Sequence, residues 1–141
     1  MAIDSGPELT KFFEGYVEGV YLDSLGYPTM GYGTLLCKEK FVSVKEYLTS
    51  CFMEKYREAE EAYEQMGFDL DPVRRCAVVD LIYNLGPAGF SKFHDTIPML
   101  RMKDYNAAAT LLEQSRWYKQ VGRRGPMICK LIRTGKWESL T

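Results

Sequence analysis

The chain has 141 residues, 46% of them hydrophobic, and a formal net charge of −1. That is enough apolar material for one domain with a core of its own. The near-neutral balance, with no basic stripe interleaved with aromatics, argues against a nucleic-acid partner. The charge is unevenly sorted: residues 1–70 hold 6 Lys/Arg and 13 Asp/Glu, residues 71–141 hold 12 and 6. Such asymmetry fits an acidic catalytic or partner-facing half beside a basic half that meets an anionic polymer, and it equally fits two solvated faces.

Four cysteines (Cys37, Cys51, Cys76, Cys129) stand at no metal-like spacing, and His94 is the sole histidine. Neither a metal site nor a cofactor is expected. The cysteines read as reduced thiols of a protein folded in a cytoplasm, although spacing alone does not settle thiol against disulfide. Cys51 and Cys76 fall on apolar helical faces and are expected to behave as small buried hydrophobes. The first residues carry no basic and apolar leader pattern, so synthesis in a bacterial cytoplasm without a signal peptide is expected. No apolar run approaches the roughly 20 residues that span a bilayer.

In chain order, Ser5-x-x-Glu8 with Pro7 forms a capping box that opens a short helix ending near Gly15. Glycines at 19, 26, 31 and 33, among tyrosines and valines, predict a small twisted β-hairpin or meander over 16–35. Ser43-Val-Lys-Glu46 is a second capping box. Val44, Leu48, Cys51/Phe52, Tyr56, Ala59, Tyr63 and Met66 then recur at helical spacing until Gly67. The outer face of that helix is acidic, through Glu54, Glu58, Glu60, Glu61 and Glu64. Asp71-Pro72 caps a helix over 73–85 that is apolar on most sides and should sit inside a bundle. Gly86-Pro-Ala-Gly89 breaks it, and helical segments follow around 96–101, 104–114, 115–119 and 123–134, stopped by Gly135. The pattern predicts an α+β, mainly α chain of one domain, 1–141. A small β-hairpin lobe with a connecting helix (about 15–66) joins a helical-bundle lobe (about 1–14 plus 71–141). A cleft between unlike lobes is where a site is expected.

Three residues stand out there: Glu14 at a helix end, Asp23 in the hairpin and Thr29 before Gly31-Tyr-Gly33. Two carboxyl groups can run glycoside hydrolysis, one protonating the leaving oxygen and the other activating water. Glu14 lies beside Phe12, Phe13 and Tyr16, a setting that raises a carboxyl pKa as a general acid requires. Asp23, in a polar turn, should stay ionised. A Glu at a helix end and an Asp in a turn occur in nearly every protein, so the pair alone selects no chemistry.

The stretch from Glu14-Gly15 through Tyr21-Leu-Asp23 and Gly26-Tyr-Pro-Thr29-Met-Gly-Tyr-Gly33 closely resembles the active-site segment of phage-type lysozymes, with eight residues between Glu and Asp and five between Asp and Thr. Asp71-Pro-Val-Arg-Arg-Cys-Ala77, Ser115-Arg-Trp-Tyr118 and Arg133-Thr-Gly-Lys-Trp137 are similar to helices of the T-even phage lysozymes. The resemblance implies a lysozyme-like fold and an inverting muramidase, which would hydrolyse the β-1,4 bond between N-acetylmuramic acid and N-acetylglucosamine and lyse cells. It implies Glu14 as acid, Asp23 supporting the attacking water and Thr29 holding that water. It places Leu35, Tyr83 and Thr96 along a sugar-binding cleft, Asn84 as a hydrogen-bonding neighbour, Arg124 near the catalytic Glu, and Arg116 as a bridge between lobes. The alternative readings are a hairpin edge for Leu35, a core aromatic for Tyr83, a helix cap for Thr96 and a surface charge for Arg116.

Three departures stand against the family pattern. Thr34 replaces a histidine common after the Gly-x-Gly, and the position nearest its usual acidic partner is Lys55. The segment before Asp71 is shorter than in the T-even enzymes. The net charge gives little steering toward an anionic wall. These features lend support to a catalytically weak peptidoglycan- or partner-binding protein as the alternative. A monomer acting on peptidoglycan is expected. It would reach the wall by holin-type release, on a phage tail, or as an antibacterial effector delivered by a secretion machine, with an immunity-type or delivery partner.

Overall fold

A computed structural model of the chain describes residues 16–141; the capping box and helix expected before Tyr16 lie outside the described residues. Three strands, β1 (Val17–Leu22), β2 (Pro28–Gly31) and β3 (Thr34–Leu35), form an antiparallel sheet in the order β1-β2-β3. The meander expected from the glycine spacing is therefore present. Its first turn depends on Gly26, which stands at φ 91°, a conformation that side chains with a Cβ rarely adopt. A Cβ there would also come 3.3 Å from the Phe41 carbonyl oxygen, and Phe41 N donates to the Gly26 carbonyl at 2.9 Å. The β1–β2 register pairs Tyr21 with Thr29 and Leu22 with Pro28, and Thr29 also pairs with Leu35.

Helix α1 runs Val44–Met66. Ser43 accepts from Glu46 N at 3.0 Å, while the Glu46 carboxylate accepts from Val42 N at 3.1 Å. The expected capping box thus forms with its return bond displaced by one residue. Ala59 and Tyr63 are buried as the period predicts, but Leu48, Cys51 and Phe52 are exposed. The expectation of a buried Cys51 is corrected: a period fixes which residues share a face, not whether another element covers it. Cys76 is half-buried and Cys129 buried, and all four cysteines are free. Burial pushes the Cys129 thiol up to about 11, with Glu113 adding to the shift.

The chain divides into two compact units, with the boundary between Glu54 and Lys55. In the second unit follow α2 (Pro72–Leu85), α3 (Pro87–Ser91), α4 (Thr96–Arg101), α5 (Tyr105–Glu113), α6 (Arg116–Gln120), α7 (Arg124–Thr134) and a 3-10 turn (Trp137–Leu140). Gly86 ends α2, as read from sequence, but Pro87 opens α3 at once. Proline suits a first helical position because its missing N–H has no partner there in any case.

Helix α2 is buried on several sides through Ala77, Val78, Val79, Leu81 and Ile82, which explains its lack of a polar face. Phe90, Leu100, Leu112, Ile128 and Ile132 complete the core around it. Helix α7 packs on α2, α5 and α6. Arg74 fastens α2 to its end: Nε donates to the Ile132 carbonyl at 2.6 Å and Nη2 to the Arg133 carbonyl at 2.9 Å. Its guanidinium carbon lies 3.7 Å from the Tyr105 ring centroid. Gly135, at φ 64°, lets the chain turn away there; a Cβ on it would stand 2.7 Å from the Arg74 guanidinium. No helix among the described residues is long and apolar enough to cross a membrane.

Candidate active site

The turn between β1 and β2 organises two of the predicted residues around Tyr27. Asp23 Oδ1 accepts from Leu25 N at 2.9 Å and from Tyr27 N at 2.8 Å. Asp23 N donates to the Tyr27 carbonyl at 2.9 Å, and Thr29 Oγ1 donates to that same carbonyl at 2.8 Å. Thr29 is only 4% exposed. Its hydroxyl proton is committed to Tyr27, so toward any further partner the oxygen can only accept, which suits a donor such as water. The two N–H bonds to Oδ1 fix the orientation of the Asp23 carboxylate. The carboxylate closes the turn through these two bonds. Leu35, across from Thr29, is half exposed. Glu14 lies outside the described residues.

The remaining predicted residues belong to the second unit. Tyr83 is half-buried near the end of α2, its ring 6.2 Å from that of Tyr56 and tilted by 44°. Burial raises the Tyr56 phenol above its ordinary value, with Cys76, Glu60 and Asp80 adding to the effect, so it stays protonated at neutral pH. Asn84 is exposed, and its Oδ1 accepts from Trp117 Nε1 at 2.8 Å. Thr96 is buried at the first position of α4, where the preceding Asp95 is the N-cap residue. Arg116 is exposed at the first position of α6.

Arg124 meets an acid that sequence reading did not single out. Its Nη2 donates to Asp80 Oδ1 at 3.3 Å, and its Nε lies 3.1 Å from Oδ2 without hydrogen-bond geometry, leaving that buried oxygen without a hydrogen bond among the described residues. Asp80, Arg124, Asn84 and Tyr56 line a cavity of about 830 Å³ with Cys76, Met127 and Trp137. The available signal was an aspartate inside the otherwise apolar run 76–82. An unpaired charge there would be costly, so a cation had to face it. No group of three metal-ligating side chains occurs among the described residues.

A small antiparallel sheet, a long helix and a helical core, with an Asp/Thr pair held in the first turn of the sheet, define a lysozyme-like α+β protein. The chain belongs to the phage lysozyme family, whose model matches residues 11–134. It is 22% identical over 163 residues to probable T4-type lysozyme 1 of Dictyostelium discoideum, and 23% identical over 163 residues to probable T4-type lysozyme 2 of the same organism. Each alignment covers 94% of this chain and 96% of the relative. It is also 26% identical over 161 residues to the pre-baseplate central spike protein Gp5 of Enterobacteria phage T4, where it spans 94% of its own length but only 28% of the spike protein. The family and these relatives support a lysozyme-like glycoside hydrolase.

Proposed function

We propose that the chain is a muramidase that hydrolyses the β-1,4 bond between N-acetylmuramic acid and N-acetylglucosamine in bacterial peptidoglycan. The observation that carries this reading is the Asp23–Tyr27–Thr29 turn, in which the Tyr27 backbone holds both side chains: its N–H donates to the Asp23 carboxylate and its carbonyl accepts from the buried Thr29 hydroxyl. Glu14 gives its proton to the glycosidic oxygen as the bond from the anomeric carbon breaks. Water bonded to the Thr29 oxygen forms the new bond to that carbon and yields its proton to Asp23. This is the inverting arrangement, for which the Glu14 and Asp23 carboxyl groups must stand roughly 6.5–9.5 Å apart to admit the water.

The test is release of reducing ends from purified peptidoglycan by the wild type and by Glu14→Gln. Release by the wild type with near-total loss in the variant supports the reading. Absence of release by both, with retention on the wall, would instead favour a binding protein on this scaffold. Similarity to part of a phage spike protein supports carriage by a larger assembly as the route to the wall.

A further inference from the structure

Lys55 stands at the position where the family resemblance expected an acid, and its surroundings point elsewhere. Its side chain is exposed, and Nζ lies 4.4 Å from the centroid of the Tyr83 ring. Arg74, Arg75, Lys103, Arg124 and Arg133 are each held against an Asp or Glu, whereas among the described residues no carboxylate lies within ion-pair distance of Lys55. The stretch around it is otherwise acidic, with Glu54, Glu58, Glu60 and Glu61. Lys55 therefore puts a positive charge that no carboxylate contacts among the described residues on the face of the aromatic ring that precedes Asn84, the residue held by Trp117. A ring face covered by an ammonium is closed to stacking by a sugar but open, through that ammonium, to an anion.

The sugar rings themselves are neutral; the negative charge of a peptidoglycan strand resides in the carboxylates of its stem peptides and, where a stem peptide is missing, of the free lactyl group. We propose that Lys55 is a specificity-determining residue that binds such a carboxylate. Binding would thereby favour strands carrying anionic substituents over neutral ones. This rests on the muramidase reading above. Tyr83 holds the ammonium in place, so less side-chain freedom is lost on binding.

Wild type, Lys55→Met and Lys55→Arg are compared by apparent KM for reducing-end release and by co-sedimentation with insoluble sacculi. Three substrates are used: intact sacculi, sacculi whose carboxylates have been converted to neutral amides with carbodiimide and ethanolamine, and amidase-treated strands that keep only lactyl carboxylates. On intact sacculi Lys55→Met is expected to raise apparent KM about three- to fivefold with kcat within about twofold, the range for a solvent-exposed charge pair. Lys55→Arg should restore most of the loss. Amidation should weaken the wild type to the level of the methionine variant. Amidase-treated strands that behave like amidated sacculi identify the stem-peptide carboxylates as the source; strands that behave like intact sacculi show that Lys55 accepts a freed lactyl carboxylate equally well.

Equal KM and equal retention of wild type and Lys55→Met on intact sacculi would overturn the proposal. So would a deficit of the variant that persists undiminished on amidated sacculi. If no protein releases reducing ends, the muramidase reading fails by itself. Co-sedimentation then still decides the role of Lys55: retention lost on amidation and in Lys55→Met supports it, and equal retention refutes it.

Discussion

Replacing Thr29 by valine separates the two roles of its hydroxyl. The side chain is buried, and valine keeps its shape. The lost bond is Oγ1 to the Tyr27 carbonyl at 2.8 Å. That carbonyl still accepts from Asp23 N at 2.9 Å, so no buried acceptor is left orphaned. The stability cost should therefore fall near the usual net value of a hydrogen bond, about 1 kcal/mol. For a chain of this size that lowers Tm by about 3–5 °C. A protein with about 5 kcal/mol or more of stability stays over roughly 99% folded after such a loss. Loss of a water-positioning group, by contrast, should reduce kcat about 10²-fold or more, which corresponds to about 2.7 kcal/mol in the barrier. The assay is reducing-end release at 25 °C beside thermal melting of the same preparations, with Thr29→Ser as the control that keeps the hydroxyl. A kcat within threefold of wild type in Thr29→Val would refute the assignment of the water to Thr29. An equal loss in Thr29→Ser would show that shape, not the hydroxyl, is at issue.

Asp23→Asn keeps an oxygen that can accept from Leu25 N and Tyr27 N; the fold should survive in circular dichroism while kcat drops about 10²-fold or more through loss of the base. Arg74→Met should cost about 2–4 kcal/mol in urea denaturation, because two charge-assisted bonds to the end of α7 and the contact with Tyr105 go together. Acid should destabilise the second unit through two carboxyl groups. Hydrogen bonding by the Arg133 guanidinium lowers Glu113, and the bonds from Arg74 lower Asp71 against the opposing pull of its burial. Groups lowered on folding stabilise above their unfolded pKa values of about 4. They lose that contribution as pH falls through the lower folded values. Melting between pH 7 and pH 2 should show this loss, and Asp71→Asn with Glu113→Gln should flatten it; an unchanged slope in the double variant would contradict the assignment.

Much of this molecule is local. The Asp71-Pro72 cap, the stop at Gly135, the glycine-paced sheet and the period of α1 were legible because each depends on backbone preferences within a few residues. Asp23 and Thr29 were legible as a pair for the same reason: the turn between β1 and β2 that joins them is five residues long, 23–27, and held by its own hydrogen bonds. Family resemblance, not spacing, gave that pair its chemistry.

Tertiary packing decided what no period contains. The stripe on α1 is buried at Ala59 and Tyr63 but exposed at Leu48, Cys51 and Phe52, since the period of a helix fixes a face and not how much of that face is buried. Asp80 is forty-four residues from Arg124, and Lys55 twenty-eight from Tyr83; only the packing of distant helices brings each charge to its neighbour. The sequence by itself determined the elements and the turn that carries Asp23 and Thr29, because their interactions are short in chain distance. The structure alone decided which charges are paired and which aromatic carries one, because Coulomb and cation–π interactions depend on distance in space.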